Sequence, residues 1–516
     1  VQAAKAAELT VTLDNTARTT GKLNVTTLQV RDNDSDLNDK SAVTTLNIVS
    51  NGVRNTTNAI GSVEADGVST FNLLGTQDLA VKIDQAAHTQ GNVNGFTNLV
   101  VDGSTAEGNL KVTMNAAVIN ALHGQSKTMT FKGGAGTKDN LVFDGGVVVT
   151  KALVTASGFE TVTFNDGTKY NAVNTTGVNL YHSRDGDALQ IINLRGEENV
   201  KIGLKVGTNT LDNTNTVTNT GGSHGFVTNA VSSGSKINVD LVGAVNPIAA
   251  QQIKTDGYTT LNLHLTEDRT IANAQKVYVL DLSTQAYDSV NDTWMAGTNA
   301  TNVVLPAAIP VNHISNIELQ NIVLTGGTGQ LDGANVPYDQ AWLVGGGALS
   351  STIKLLDVSG YKGFVAAALS PREIATVTNG ANVVTYDTGN TVVKLGAYGA
   401  ILLDNHAADK VTTFEFTKDA LVNANTAGFT NFDWQIQGFK GVNMGAGVNG
   451  TNAGGAGNVS VLDVSALGAR TLADLKFTDV GGNLHISDNV GAHNYEIVLT
   501  GVTQAQLGLE NFKFAA

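Results

Sequence analysis

Val100-Val-Asp-Gly-Ser104 returns down the chain as Val279-Leu-Asp-Leu-Ser283, Leu355-Leu-Asp-Val-Ser359 and Val461-Leu-Asp-Val-Ser465, with Ile237-Asn-Val-Asp-Leu241 a weaker relative. Two apolar residues followed by Asp-x-Ser describe a short strand closed by a turn, because Asp and Ser side chains bond backbone groups a residue or two away. The copies are irregularly spaced, so they are similar rungs with variable insertions rather than a fixed-period array. Between them, apolar and polar residues alternate: Leu23-Asn-Val-Thr-Thr-Leu-Gln-Val30, Thr45-Leu-Asn-Ile-Val49, Leu110-Lys-Val-Thr-Met114, Thr161-Val-Thr-Phe164, Thr260-Leu-Asn-Leu-His-Leu265, Asn316-Ile-Glu-Leu319 and Asn483-Leu-His-Ile486. Alternation of this kind marks a strand with one face buried. Helical periodicity is scarce, with short candidates at Met114–His123, Pro371–Thr376 and Ala466–Asp474. The expected fold is all-β: short strands stacked as irregular β-solenoid or β-sandwich-like units, multi-domain and elongated.

The composition agrees. Of 516 residues, 57 are glycine and only 5 proline, and charged residues make up 15%, well under the roughly 25% usual in soluble domains. The polar surface must therefore come from Thr, Asn, Ser and Gly, which suits strands with Thr outside, Val or Leu inside and Asn/Gly/Asp turns. A net charge of −14 argues against nucleic acid, which needs basic stripes to displace counterions. The absence of cysteine excludes disulfides, thiol chemistry and cysteine-based zinc sites. No apolar run approaches the length of a membrane span. The sequence opens at Val1 without a signal-like segment, so an export address is expected upstream, already removed, or at the C-terminus. Two stretches without a core pattern, Asn213–Gly222 and Gly445–Gly457, read as boundaries or long loops. The expected domains are 1–213, 223–400 and 401–516.

Three acidic turns are candidate cation sites. In Asp32-Asn-Asp-Ser-Asp-Leu-Asn-Asp39, alternate carboxylates at Asp32, Asp34 and Asp36 can converge on one hard cation when the loop curls, with Asp39 closing the shell. It matches an EF-hand loop only in part, lacking the sixth-position Gly and the twelfth-position Glu. Lys132-Gly-Gly-Ala-Gly-Thr-Lys-Asp-Asn-Leu-Val-Phe-Asp-Gly-Gly146 approximates the Gly-Gly-x-Gly-x-Asp-x-apolar-x calcium turn of parallel β-rolls. Gly133, Gly134 and Gly136 fit, Asp139 sits one residue late, and Asp144 follows. In His182-Ser-Arg-Asp-Gly-Asp187 the candidates are Asp185 and Asp187. The bland reading is a solvated acidic loop for the first, a glycine-rich hairpin for the second and an Asp-Gly turn for the third.

Catalytic patterns are formal only. Gly221-Gly-Ser-His-Gly225 spells a nucleophile elbow, but a Thr/Asn-rich loop precedes it and no helix follows. Gly445-Ala-Gly-Val-Asn-Gly450 spells a dinucleotide turn without strand–helix context. The 9 histidines are scattered, with no His-x-x-x-His pair. Phe429, Phe432 and Trp434 fit core packing better than a sugar platform. No enzymatic activity is expected.

Phe71-Asn-Leu-Leu-Gly-Thr-Gln-Asp-Leu-Ala-Val-Lys-Ile83 and Leu99-Val-Val-Asp-Gly-Ser-Thr-Ala-Glu-Gly-Asn-Leu-Lys-Val-Thr113 resemble the rungs of RTX-type surface-layer proteins of Gram-negative bacteria. Asp474-Leu-Lys-Phe-Thr-Asp-Val-Gly-Gly-Asn-Leu-His-Ile-Ser487 and Leu509-Glu-Asn-Phe-Lys-Phe-Ala-Ala516 are similar to the closing module of type I-secreted RTX proteins. The dense nonapeptide arrays of that family are missing. The resemblance implies an extracellular, Ca²⁺-stabilised two-dimensional lattice of identical copies, exported by a C-terminal signal. It also implies anchoring to outer-membrane lipopolysaccharide through a region outside this chain. A secreted adhesin or biofilm-matrix protein binding glycans or host surfaces shares the same composition and stands as the alternative expectation.

Overall fold

The structure, a computed structural model, describes residues 7–16, 21–31, 42–52, 56–90, 95–183, 189–194, 198–204, 210–211, 217–218, 225–230, 235–243, 251–256, 258–267, 276–281, 287–288, 293–294, 320–329, 339–344, 353–368, 375–379, 382–386, 391–404, 411–418, 433–443, 459–489 and 495–516. The chain divides into two compact units, Val1–Gly203 and Leu204–Ala516, where the composition suggested three segments.

The first unit is a parallel β-solenoid. One seven-stranded sheet stacks Glu8–Asp14, Thr45–Asn51, Thr70–Leu74, Leu99–Asp102, Met129–Lys132, Val154–Ser157 and Thr175–Thr176, each parallel to the next. A second stacks Thr57–Glu64, Asp78–Gln85, Leu110–Asn115, Asn140–Asp144, Thr161–Phe164 and Leu180–Ser183. It opens on two short pieces, Asn24–Val25 and Leu28–Gln29, where the sequence suggested one continuous run. The chain visits the two sheets in turn. From Val148 onward a third strand joins each coil, as Val148–Val149, Thr168–Asn171 and Leu189–Leu194. No strand pairs with its sequence neighbour in these sheets, so each coil needs the coils beside it to complete its hydrogen bonds.

Alternation decides which side faces in. Leu46, Phe71, Val101, Phe131 and Ala156 share one register file and have no exposed surface. In the second sheet Ile83, Met114, Phe143 and Phe164 form another buried file. Stacked rungs bring like side chains face to face: Phe143 and Phe164 lie 5.7 Å apart and nearly parallel, and Tyr170 tilts against both at 5.5 Å. Such contacts add roughly 0.5–1.5 kcal/mol each beyond burial.

The helix expected at Met114–His123 forms over Ala116–Gly124. Asn115 caps it by accepting from the Ala117 amide at 2.9 Å. It buries Val118, Ile119 and Leu122 and presents Asn120 to the first strand of the third sheet. The Asn120 amide donates to the Gly146 carbonyl and accepts from the Val148 amide, both at 2.8 Å. One side chain thus stands in for a missing strand and covers a sheet edge.

The second unit repeats the design. Ser235–Gly243, Tyr258–Glu267, Asn321–Gly326, Leu355–Tyr361, Thr391–Leu395, Thr412–Phe416, Ser460–Asp463 and Phe512–Lys513 make one parallel stack. Gly225–Ala230, Gln251–Asp256, Lys276–Asp281, Asp339–Val344, Phe364–Ala368, Ala400–Leu403, Asp433–Gln437 and Glu496–Thr500 make another. Hairpins interrupt the coils, among them Ala375–Asn379 with Asn382–Tyr386 and Thr210–Leu211 with Val217–Thr218. Toward the C-terminus an antiparallel hairpin, Leu475–Val480 and Asn483–Asp488, pairs with Glu496–Thr500. Its turn is Gly481-Gly482, both at positive φ, the geometry that two-residue hairpins require. Two 3₁₀ turns, Ser465–Leu467 and Leu472–Asp474, replace the helix expected at Ala466–Asp474. Trp434 packs in the core against Phe416, its indole donating to the Gly396 carbonyl. Among the described residues no helix is long and apolar enough to cross a membrane.

Candidate functional site

The glycine-rich turn after Met129–Lys132 is a corner where successive coils come into contact. A side chain on Gly133 would put its Cβ 1.9 Å from the Gly158 carbonyl oxygen, and one on Gly134 would sit 2.6 Å from that of Ala106. Only glycine lets these turns stack so closely. The turn delivers Asp139 to the inside, where it has no exposed surface. Asp139 Oδ1 accepts from the Leu110 amide at 2.7 Å and Oδ2 from the Gly134 amide at 2.6 Å. The Asp139 amide donates to Glu160 Oε2 at 2.6 Å. On the adjacent coil Asn109 Oδ1 accepts from the Thr137 and Lys138 amides, each at 3.1 Å, and Asp78 Oδ1 accepts from the Asn109 amide at 2.8 Å. Asp78, Asn109, Asp139 and Glu160 therefore form a ladder in which side chains bond the backbone of a neighbouring coil.

Each Asp139 carboxylate oxygen accepts one N–H, from Leu110 and from Gly134, and keeps a further lone pair. Burial pushes the Asp139 carboxyl up, against the pull of the Leu110 and Gly134 amides, and the negative charges of Glu160 and Asp78 add to the rise. Gly133, Gly134, Gly136 and Asp139 do converge as their spacing suggested, but on backbone donors.

Asp144 lies at the other end of strand Asn140–Asp144, away from that corner. It accepts from the Asn165 amide group at 3.0 Å and pairs with the Lys82 ammonium at 3.0 Å. Lys82 also reaches Asp84 at 3.3 Å, and Asp84 accepts from Asn115 and Ser62. Asn165 and Lys82 hold the Asp144 carboxyl below its usual range, and Asp144 in turn raises Lys82. Among the described residues no three acidic or histidine side chains are grouped to hold a metal. Asp32, Asp34, Asp36, Asp39, Asp185 and Asp187 lie outside the described residues, as do 221–224 and 445–450 of the two formal catalytic patterns.

The repeated Asp-x-Ser turn closes as its chemistry predicts. Asp102 Oδ1 accepts from the Ser104 amide and hydroxyl at 3.0 and 2.6 Å, and Asp463 Oδ1 accepts from Ser465 at 3.2 and 2.5 Å. In both, the second oxygen meets a lysine from the register partner on the next coil: Lys132 on Asp102 at 2.7 Å and Lys513 on Asp463 at 2.5 Å. Burial works to raise both carboxyls, but the lysine and serine bonds outweigh it and leave them below their usual range. Asp357 makes the same bonds to Ser359, yet inside strand Leu355–Tyr361, where the register with Asn321–Gly326 shifts. The motif there forms a bulge rather than a strand end.

Sequence reading missed two further devices. Asp14 and Thr16 repeat the turn with threonine, at 2.9 and 2.6 Å, a spacing visible in the sequence. Buried Asp404 ties Thr412 and Ser460 together at 3.0 and 2.6 Å from separate strands, which only the coil register brings close. No family model, curated protein or solved structure matches this chain.

Proposed function

We propose that this chain is a structural protein of a bacterial cell surface, secreted and self-assembling into a layer of identical copies. What supports the reading is how the polar side chains are used. Asp78, Asn109, Asp102, Asp139, Asp404 and Asp463 are all engaged in holding one coil to the next or closing a turn. These six side chains serve rigidity, which suits a scaffold. Calcium enters the proposal through the loops at Asp32, Asp34, Asp36, Asp39 and at Asp185 and Asp187, on their sequence pattern.

The test is electron microscopy of purified protein with Ca²⁺ and with a chelator. Ordered sheets that chelation disperses are the expected result. A monodisperse protein with glycan affinity and no ordered arrays under either condition would replace this reading with the adhesin alternative.

A further inference from the structure

Gly326-Gly-Thr-Gly329 in the second unit repeats the glycine spacing of Gly133-Gly-Ala-Gly136, and it too follows a strand, Asn321–Gly326. Gly326, Gly327 and Gly329 have φ of +96°, +74° and +70°, so the chain curls where a side chain would be strained. The curl meets Asp339, the first residue of strand Asp339–Val344, which is 1% exposed. Asp339 Oδ2 accepts from both the amide and the hydroxyl of Thr328, each at 2.7 Å. Asp339 Oδ1 is buried and meets no hydrogen-bond donor. The other buried aspartates among the described residues are engaged on both oxygens. Asp139 accepts two amides, Asp404 two hydroxyls, and Asp463 the Ser465 hydroxyl and the Lys513 ammonium. Among the described residues no lysine, arginine or histidine pairs with Asp339.

A carboxylate taken out of water without a partner is strongly unfavourable, and buried charges are paired or coordinate a metal. The other groups at this corner are neutral oxygens. The Asp339 carbonyl oxygen lies 2.5 Å from where a Cβ on Gly363 would sit, and the Tyr398 hydroxyl 2.3 Å from where one on Gly329 would sit. The Thr328 hydroxyl completes the set. Oxygen donors alone select a hard cation. One carboxylate among neutral donors is balanced by a single positive charge. Divalent ions are usually held by more than one carboxylate, and among the described residues no three acidic or histidine side chains are grouped. We propose that Asp339 and the Gly326–Gly329 turn hold one alkali cation, Na⁺ or K⁺, with Asp339 Oδ1 as its charged ligand. The ion ties strand Asp339–Val344 of one stack to the turn that leaves Asn321–Gly326 of the other. It does not depend on self-assembly or on the acidic loops proposed for calcium.

Urea unfolding of the full chain in NaCl, KCl and choline chloride at equal ionic strength tests this. Choline carries the same charge but is too bulky for a buried oxygen site. At an alkali-ion concentration ten times the dissociation constant, the unfolding constant is expected to be about tenfold smaller than in choline. Asp339→Asn keeps the shape, removes the charge and is expected to abolish the difference. If that variant misfolds, hydrogen exchange of the folded wild type decides: the Thr328 and Gly329 amides are expected to exchange more slowly in NaCl or KCl than in choline chloride. Unfolding and exchange that are the same in all three salts overturn the proposal and leave Oδ1 to a buried water or a proton. An alkali-ion effect that persists in folded Asp339→Asn places the ion elsewhere in the chain and overturns it. Stabilisation by Ca²⁺ that Asp339→Asn loses, with no response to Na⁺ or K⁺, overturns it in favour of a divalent site.

Discussion

At the scale of the residue, the protein relies on aspartate and asparagine as substitutes for backbone. A carboxylate that accepts two N–H groups inside a corner does what a carbonyl does in a sheet, and it is costly to remove because two buried donors lose their partner. Asp139→Ala is expected to destabilise the Val1–Gly203 unit by about 2–4 kcal/mol, with Asp139→Asn intermediate, in chemical denaturation. Gly133→Ala is expected to cost a similar amount for a different reason, since its Cβ would meet the Gly158 carbonyl. Asp102→Ala loses a partly exposed pair and a turn bond, so about 1 kcal/mol is expected. If Asp139→Ala proves neutral, the corner ladder is not what holds the turns in register.

At the scale of the element, edges are the problem that this fold must solve. A parallel coil exposes a row of N–H and C=O groups wherever a sheet begins. The third sheet of the first unit solves it with one helix and one side chain, Asn120. Asn120→Ala is expected to leave the helix in place and to speed hydrogen exchange of the Val148 amide by about tenfold, the loss of one edge hydrogen bond. An unchanged Val148 rate would mean that the apolar contacts of Val118, Ile119 and Leu122 cover the edge without it.

At the scale of the whole molecule, the charge balance sets the response to acid. Asp14, Asp102, Asp144 and Asp463 all have carboxyls held below the usual range. Their contribution to stability is present above the unfolded-state value of about 3.9 and is lost as pH falls through the lowered folded values. Asp139 runs the other way, because its carboxyl is raised in the folded state. The native corner favours the protonated form, so the stability that protonation gives is lost as pH rises through the raised value. Thermal melts across pH should therefore show wild type losing stability relative to Asp139→Asn as pH rises from about 4. A difference that is flat with pH would show that the two backbone donors fully offset burial.

The sequence by itself determined the class of fold and the local chemistry of its turns. Alternation at Thr45–Val49, Leu110–Met114 and Thr161–Phe164 placed strands correctly because the side-chain period of a strand is local. The Asp-x-Ser hydrogen bonds formed as expected because both partners lie two residues apart, ending a strand at Asp102 and Asp463 but making a bulge at Asp357. The tertiary structure decided what the acidic residues face. Asp139 meets Leu110 and Asp144 meets Lys82 across the coil register, and Asp404 meets Ser460 at 56 residues' separation. Coils of unequal length hide these intervals from any count along the chain. A carboxylate in a glycine-rich turn is compatible with either a cation or a set of N–H donors, and the choice belongs to the neighbouring coil that stacks against it.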